Sequence, residues 1–503
     1  MVFDLIKSLN IAEKRYFKIF SEQHKLGSKN DYITLFDLIN NANSRSDYKA
    51  KLLELPASLK KNLSKNKNFL VSKILSALAV YHAHTSTSIK LHQLLAIIKV
   101  LLKKKQIKLA HQYIGRAKKL AFLLDDFPVL YSVNQIEKGL LISRQKEEFS
   151  KLEERDKQLL AAMEKFTLLN NVNIKVSNIL AKSQRLIRNK DDVIELNNTM
   201  KAIDNIEIID QDSFTTKGYY YNIKANYYCG MGELLKENKF RNDLIALHES
   251  HPEINKVKFA SYISTLSNLA MNQLDLKRYK DCELTINKID TIINEYKIDK
   301  QYKESLSLQS LIIKASLFTA SGELKNIEEL KSQITNQLNN ELNFLYRIAF
   351  EFDLSVIYFL QNDFDNSLIH LNNVLNDKDL SRSLDIQYFA RILNLLLHFE
   401  LGNILLLDSL IVSTYRFLLK RKKLYKFEEI IITFIRQRLK QPDNDLKNDF
   451  ITLKNELSTI TQDIFESRAL SHFDLIAWLD AKINNKSMAA VLREKAKGIS
   501  ELN

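Results

Sequence analysis

In residues 257–274, VKFASYISTLSNLAMNQL, the apolar side chains Phe259, Tyr262, Ile263, Leu266, Leu269, Ala270 and Leu274 return every three or four positions. That spacing puts them on one stripe of a 3.6-residue helix. Residues 342–359 repeat the pattern through Leu342, Leu345, Ile348, Ala349, Phe352, Val356 and Phe359. No segment sustains the period-2 alternation and hairpin turn chemistry of a sheet. Only 9 glycines and 4 prolines interrupt the 503 residues. Folds that need many tight turns are thereby excluded, among them most β-rich and doubly wound ones, as are collagen-like and low-complexity chains. The expectation is an all-α protein.

At this length a single compact core would be unusual, which leaves several domains or one elongated array. Short polar interruptions are centred near Lys105, Glu147, Asn189, Met231, Arg278, Gly322, Asn362, Gly402, Asp445 and Asn485. Their near-constant steps predict about ten helical hairpins with a period near 42 residues. In Ser321-Gly322-Glu323 and Leu401-Gly402-Asn403 the glycine stands just past a helix end, where a left-handed residue is wanted. Pro128, Pro252 and Pro442 fall outside the apolar stripes. One hairpin cannot bury its own apolar face. Stacked hairpins share a core and curve into a superhelix with a concave groove.

Residues 346–376, YRIAFEFDLSVIYFLQNDFDNSLIHLNNVLN, place a helix ending in Tyr358 before a turn at 361–363, then Phe364, the small Ser367 and an apolar second helix. Residues 262–290 and 219–247 follow a similar course, the latter with Tyr227, Gly230 and Gly232 preceding its turn. Over residues 88–420 the chain thus resembles tetratricopeptide (TPR) repeats. It departs from them in its longer period, against about 34 residues in that family. Most of the family's Gly and Ala positions and its Trp are missing, and no Pro regularly closes the second helices. SLNIAEKRYFKIF at 8–20 and FLVSKILSALAVYH at 69–82 are also similar to the start of an uncharacterised group of bacterial TPR-like proteins, which carries no activity over. The resemblance implies a TPR-like α-solenoid. The expected domains are a basic α-helical module at 1–88, the solenoid at 89–464 and capping helices at 465–503.

Signals for chemistry are poor. Gly230-Met231-Gly232 lacks the third glycine of a dinucleotide fingerprint, Leu235 standing in its place, and no strand precedes it. His248-Glu249-Ser250-His251 is one residue short of a zinc-binding HExxH, and Pro252 after it marks a helix end. His82 and His84 are two apart on a helix and point to different sides. The pairs Asp125-Asp126 and Asp191-Asp192 fit helix starts or turns, where the helix dipole favours them. Cys229 and Cys282 have neither a disulfide-framework nor a metal-ligand spacing. No catalytic residue, metal or cofactor is expected. The start, MVFDLIKSLN, has no basic segment leading into an apolar one, and the apolar run at 94–102 is cut by Lys99. The expected location is the cytoplasm.

Charge is the strongest pointer to partners. The formal net charge is +14, yet residues 1–121 hold 23 Lys+Arg against 7 Asp+Glu. Such an excess attracts nucleic acid, an anionic membrane surface or an acidic protein. Lys60, Lys61 and Lys65 lie around one turn and Lys103, Lys104 and Lys105 around another, which makes them the candidate polyanion contacts. A further basic run is Lys420-Arg421-Lys422-Lys423. In TPR-like folds the first helix of each hairpin lines the groove and grips peptides. Counting back 8–10 residues from each turn selects Asn222, Asn268, Lys314 and Asn394, with Arg391 one turn earlier. This set loosely resembles the clamp that some TPR domains use for peptide carboxylates. The expected function is a non-enzymatic scaffold binding a protein or peptide in the concave groove. The alternative is a nucleic-acid-associated regulator acting through the basic N-terminal region.

Overall fold

The computed structural model describes residues 2–23, 31–55, 57–84, 86–141, 146–182, 187–296, 300–323, 326–339, 342–377, 384–440, 445–471 and 473–502. Among them there is no strand, so the chain is all-α. By its internal contacts it forms two compact units, residues 1–163 and 164–503. Residues 1–88 and 89–163 fall in the first unit, and 465–503 belong to the second.

The first unit contains α1 (Val2–Ser8), α2 (Ile11–Gln23), α3 (Asp31–Asn40), α4 (Arg45–Leu53), α5 (Ala57–Lys61), α6 (Leu63–His82), α7 (Thr87–Lys103), α8 (Ile107–Leu124), α9 (Phe127–Leu140) and the start of α10 (Lys146–Lys182). The apolar stripe of α6, Leu70, Ile74 and Ala77, closes a core with Ile6, Phe17, Leu35, Phe36 and Ile39 from α1 to α3. Helices α7 to α9 pack in sequence through Leu91, Ile98, Ile114, Ala117, Ala121 and Val133, all buried. Ser86 caps α7 and Asp126 caps α9, each accepting the backbone N–H three residues on.

The second unit contains the rest of α10, then α11 (Lys190–Met200), α12 (Phe214–Met231), α13 (Leu234–Glu249), α14 (Pro252–Val257), α15 (Phe259–Asp275), α16 (Tyr279–Glu295), α17 (Lys300–Ser321), α18 (Ile327–Leu338), α19 (Phe344–Leu360), α20 (Phe364–Leu375), α21 (Leu384–Glu400), α22 (Ile404–Lys420), α23 (Lys426–Lys440), α24 (Leu446–Ile460), α25 (Ile464–Ser467), α26 (Leu475–Asn484) and α27 (Met488–Leu502). Each of α12, α15, α17, α19 and α21 packs on the helix that follows its turn, and α15, α17, α19, α21 and α23 also contact one another in succession. The stripe expected in 257–274 is the buried face of α15, with all seven residues in the core.

Two expectations need correction. Between the turns expected near Glu147 and Asn189 the chain makes one helix, α10, of 37 residues, and Glu147 is in its first turn. Residues 146–182 contain neither Gly nor Pro, so nothing in them breaks the backbone hydrogen bonding. In α19 a single stripe was expected, but the helix is buried on two sides. Ile348, Phe352, Val356 and Phe359 face the large C-terminal core. Phe350, Leu354 and Ile357 face α17 and α18. Leu345, placed on the stripe, is exposed.

The turns share one geometry. At Lys105, Asp125, Gly232, Lys277, Asn362, Gly402 and Lys422 the residue is left-handed. Its N–H bonds the carbonyl three residues back, and the next N–H bonds the carbonyl five back from itself. This Schellman arrangement satisfies carbonyls that a helix end leaves open.

The C-terminal segment meets several of these helix ends. The Arg468 guanidinium donates to the carbonyls of Ile187, Cys229 and Gly230. Phe473 packs edge-on to Phe359 at 5.1 Å between centroids. Trp478 Nε1 donates to Glu400 Oε1 at 2.6 Å. A Cβ at Gly322 would lie 2.5 Å from the Ala489 carbonyl oxygen, so only glycine lets α27 approach there. Arg188, almost fully buried, pairs with Glu428 and with Glu466 at 3.1 Å and lies over the Tyr425 ring.

Candidate functional site

The groove candidates counted from the turns do not all share one helical phase, although Lys314 and Asn394 do. The left-handed turn residues supply a common reference. Asn222 stands 10 residues before Gly232, Asn268 9 before Lys277, Lys314 8 before Gly322 and Asn394 8 before Gly402. Each residue turns a helix by about 100°, so a slip of two points a side chain almost to the opposite side. Their contacts agree. Asn222 Nδ2 donates to Asn173 Oδ1 at 2.9 Å, and Asn222 Oδ1 accepts from Arg241 at 3.1 Å. Arg241 is itself buried and pairs with the fully buried Glu237. Asn222 therefore belongs to an internal network.

Lys314 Nζ pairs with Asp290 Oδ2 of α16 at 2.6 Å, and Ser310 donates to the same carboxylate. Asn268 is half-buried on α15, one helical turn before Asn272, whose side chain bonds α13 through Leu234 and Asn238. On α21, Asn394 is buried and its Oδ1 has no partner among the described residues. Arg391 lies over Phe417 at 3.8 Å.

One residue of this kind was missed. Asp353 stands 9 residues before Asn362 on α19, and the same count from that turn would have found it. Its Oδ2 is sealed from solvent with no hydrogen bond among the described residues. Burial pushes its carboxyl up to about 8.

The residues of the motifs weighed for chemistry make packing, turn and hydrogen-bond contacts. Gly230 packs so closely that a Cβ would lie 2.7 Å from Leu196 Cδ2, and Gly232 is the left-handed turn between α12 and α13. His248 Nδ1 bonds Asn255 Oδ1 at 2.7 Å and His251 precedes α14, which starts at Pro252. Burial pushes the His248 imidazole down, below the usual histidine range. Among the described residues no His, Cys, Asp or Glu group could hold a metal ion. Cys282 is buried, which raises its thiol to about 12 and leaves it unreactive. No described helix is long and apolar enough to cross a membrane.

No family model, curated protein or solved structure matches this chain.

Lys314 does reach an open feature. A cleft of about 770 Å³ lies between α16, α17, α18 and α27. Ile286, Leu317, Phe318 and Leu330 give it an apolar lining, while Lys280, Glu283, Glu329 and Arg493 add charge. Such a cleft takes an apolar side chain or one face of a helix and orients it by charge. Its fourth wall, α27, comes from the far end of the chain, and no spacing in the sequence announces that approach.

The polyanion candidates are in the first unit and all are exposed. Lys103 ends α7, and Lys104 and the left-handed Lys105 lie in the turn that leads to α8. Lys60 and Lys61 end α5, and Lys65 is in the first turn of α6. Lys60 Nζ donates to the Leu53 carbonyl, leaving Lys61 and Lys65 the freer of the three. Residues 1–163 hold 29 Lys+Arg against 15 Asp+Glu, and 164–503 hold the remaining 45 against 45. The whole net charge of the protein therefore sits in the first unit.

Proposed function

We propose that this protein is a non-enzymatic interaction scaffold, a TPR-like α-solenoid over α12 to α24 that binds a protein or peptide partner. The carrying observation is the succession of left-handed turns at Gly232, Lys277, Gly322, Asn362 and Gly402, spaced 45, 45, 40 and 40 residues apart and each joining two packed helices. This spacing supports a period near 42 residues. The peptide site moves from the expected concave strip to the cleft at Lys314, because Asn222 is committed to Arg241 and Asn173. A photo-crosslinking residue at Gln333, inside the cleft, should capture a defined partner in cells. The same residue at the exposed Asp408 of α22 should not. Equal adducts from both positions, or none from Gln333, reject the cleft as the binding site.

A second reading has its own observation, the confinement of the net charge of +14 to residues 1–163. On this reading the first unit holds nucleic acid while the second binds its partner. Phosphate contacts by lysine release counterions, so retention on DNA would fall steeply with salt.

A further inference from the structure

Arg391 and Arg421 share one aromatic ring. The Arg391 guanidinium carbon is 3.8 Å from the centroid of Phe417 and that of Arg421 is 3.9 Å from it. A third cation, Lys423, stands 5.6 Å from the ring of Tyr388, which is itself 5.9 Å from Phe417. Among the described residues no carboxylate pairs with either arginine, and the Arg391 Nε is buried without a hydrogen bond. One guanidinium stacked on a ring is favourable by itself. A second on the same ring is repelled by the first, and a buried cation without a counter-ion is costly. Burial, and then the charge of Arg421, hold the Arg391 guanidinium below its usual range. Arg421 follows the last turn of α22, where the helix dipole favours cations. That account does not extend to Arg391, which lies in the middle of α21.

We propose that Arg391 and Arg421, held against Phe417, form a binding site for a phosphate group. A dianion supplies the counter-charge that no described carboxylate gives the two guanidiniums, and its oxygens accept the planar N–H donors that each arginine presents. A single carboxylate balances only one of the two. Arg421 is exposed and Phe417 half-buried, so a ligand reaches the pair from solvent while Arg391 forms the inner wall. The site is independent of the cleft at Lys314 and of the lysines in the first unit.

The test uses the full chain at low ionic strength, titrated with inorganic phosphate and followed by calorimetry and melting temperature. Saturable binding is expected, with a rise in melting temperature that chloride at equal ionic strength does not give. Arg421→Gln, an exposed change, should weaken phosphate at least about tenfold, the scale of one lost charge-assisted contact. Arg391→Met should abolish the phosphate response while raising the melting temperature of the free protein, since a partly buried cation with no counter-ion among the described residues is gone. O-phosphoserine and glycerol 3-phosphate identify the source. Tighter binding of the first points to a phosphorylated side chain, tighter binding of the second to a lipid headgroup, and equal binding of all three to free phosphate; each supports the site. No saturable binding, or binding that both variants leave unchanged, overturns it.

Discussion

Lys277 is a lysine where the backbone wants glycine. Its φ is 59°, a conformation that costs an L-residue about 1 kcal/mol or more. Lys277→Gly removes that strain and loses part of the gain to the freer unfolded chain, so a net stabilisation of about 0.5–1 kcal/mol is expected from urea unfolding, with unchanged slope. Asp353 makes a pH-dependent prediction. Its carboxyl titrates near 8 when folded and near the ordinary carboxylate value when unfolded. As pH rises between these two values the unfolded chain gives up the proton first, so stability falls across that window and levels off above it. Asp353→Asn should therefore have little effect on the melting temperature near pH 4 and a growing stabilising effect up to about pH 8. A constant difference across the range would show that burial does not hold the proton there. The turns at Gly322 and Gly402 were legible because glycine announces a left-handed residue. Lys277 and Lys422 adopt the same conformation with no such signal, since the helix ends on either side impose it.

At the scale of elements, amphipathic spacing read α15 correctly and α19 by half. A single stripe describes a helix with one buried face, and α19 is enclosed by two cores. Helix α10 shows the converse error, because regular spacing of turns elsewhere suggested a break in a segment that has no breaking residue. The contact between α23 and the segments at Arg188 and Glu466 was invisible, being made by charged residues of opposite sign some 240 positions apart in sequence. Burial works against the charge of Arg188, but Glu428 and then Glu466 hold it protonated. Glu428→Gln leaves the guanidinium short of a partner in the interior. It should cost about 3 kcal/mol in unfolding free energy, and a loss under about 1 kcal/mol would mean that solvent reaches the pair.

For the whole molecule, the charge division makes the sharpest prediction. Lys103→Gln, Lys104→Gln and Lys105→Gln together remove three of the exposed cations in a unit whose excess is 14. The triple variant of the full chain should elute from heparin or DNA at clearly lower salt, and the slope of affinity against salt should fall by about 3 at most. Unaltered elution would place any polyanion contact elsewhere. The all-helical class, the basic N-terminal region and most turn positions followed from the sequence alone, because helical periodicity, net charge and glycine turns are local properties that survive without a fold. Which polar residues stay free did not. Asn222 and Lys314 look like any solvated helix residue until their partners Arg241 and Asp290 are placed beside them. The approach of α27 to Gly322 and the sharing of Phe417 by two arginines also exist only after distant segments meet. Burial and pairing are properties of neighbours in space, and chain order does not encode them locally.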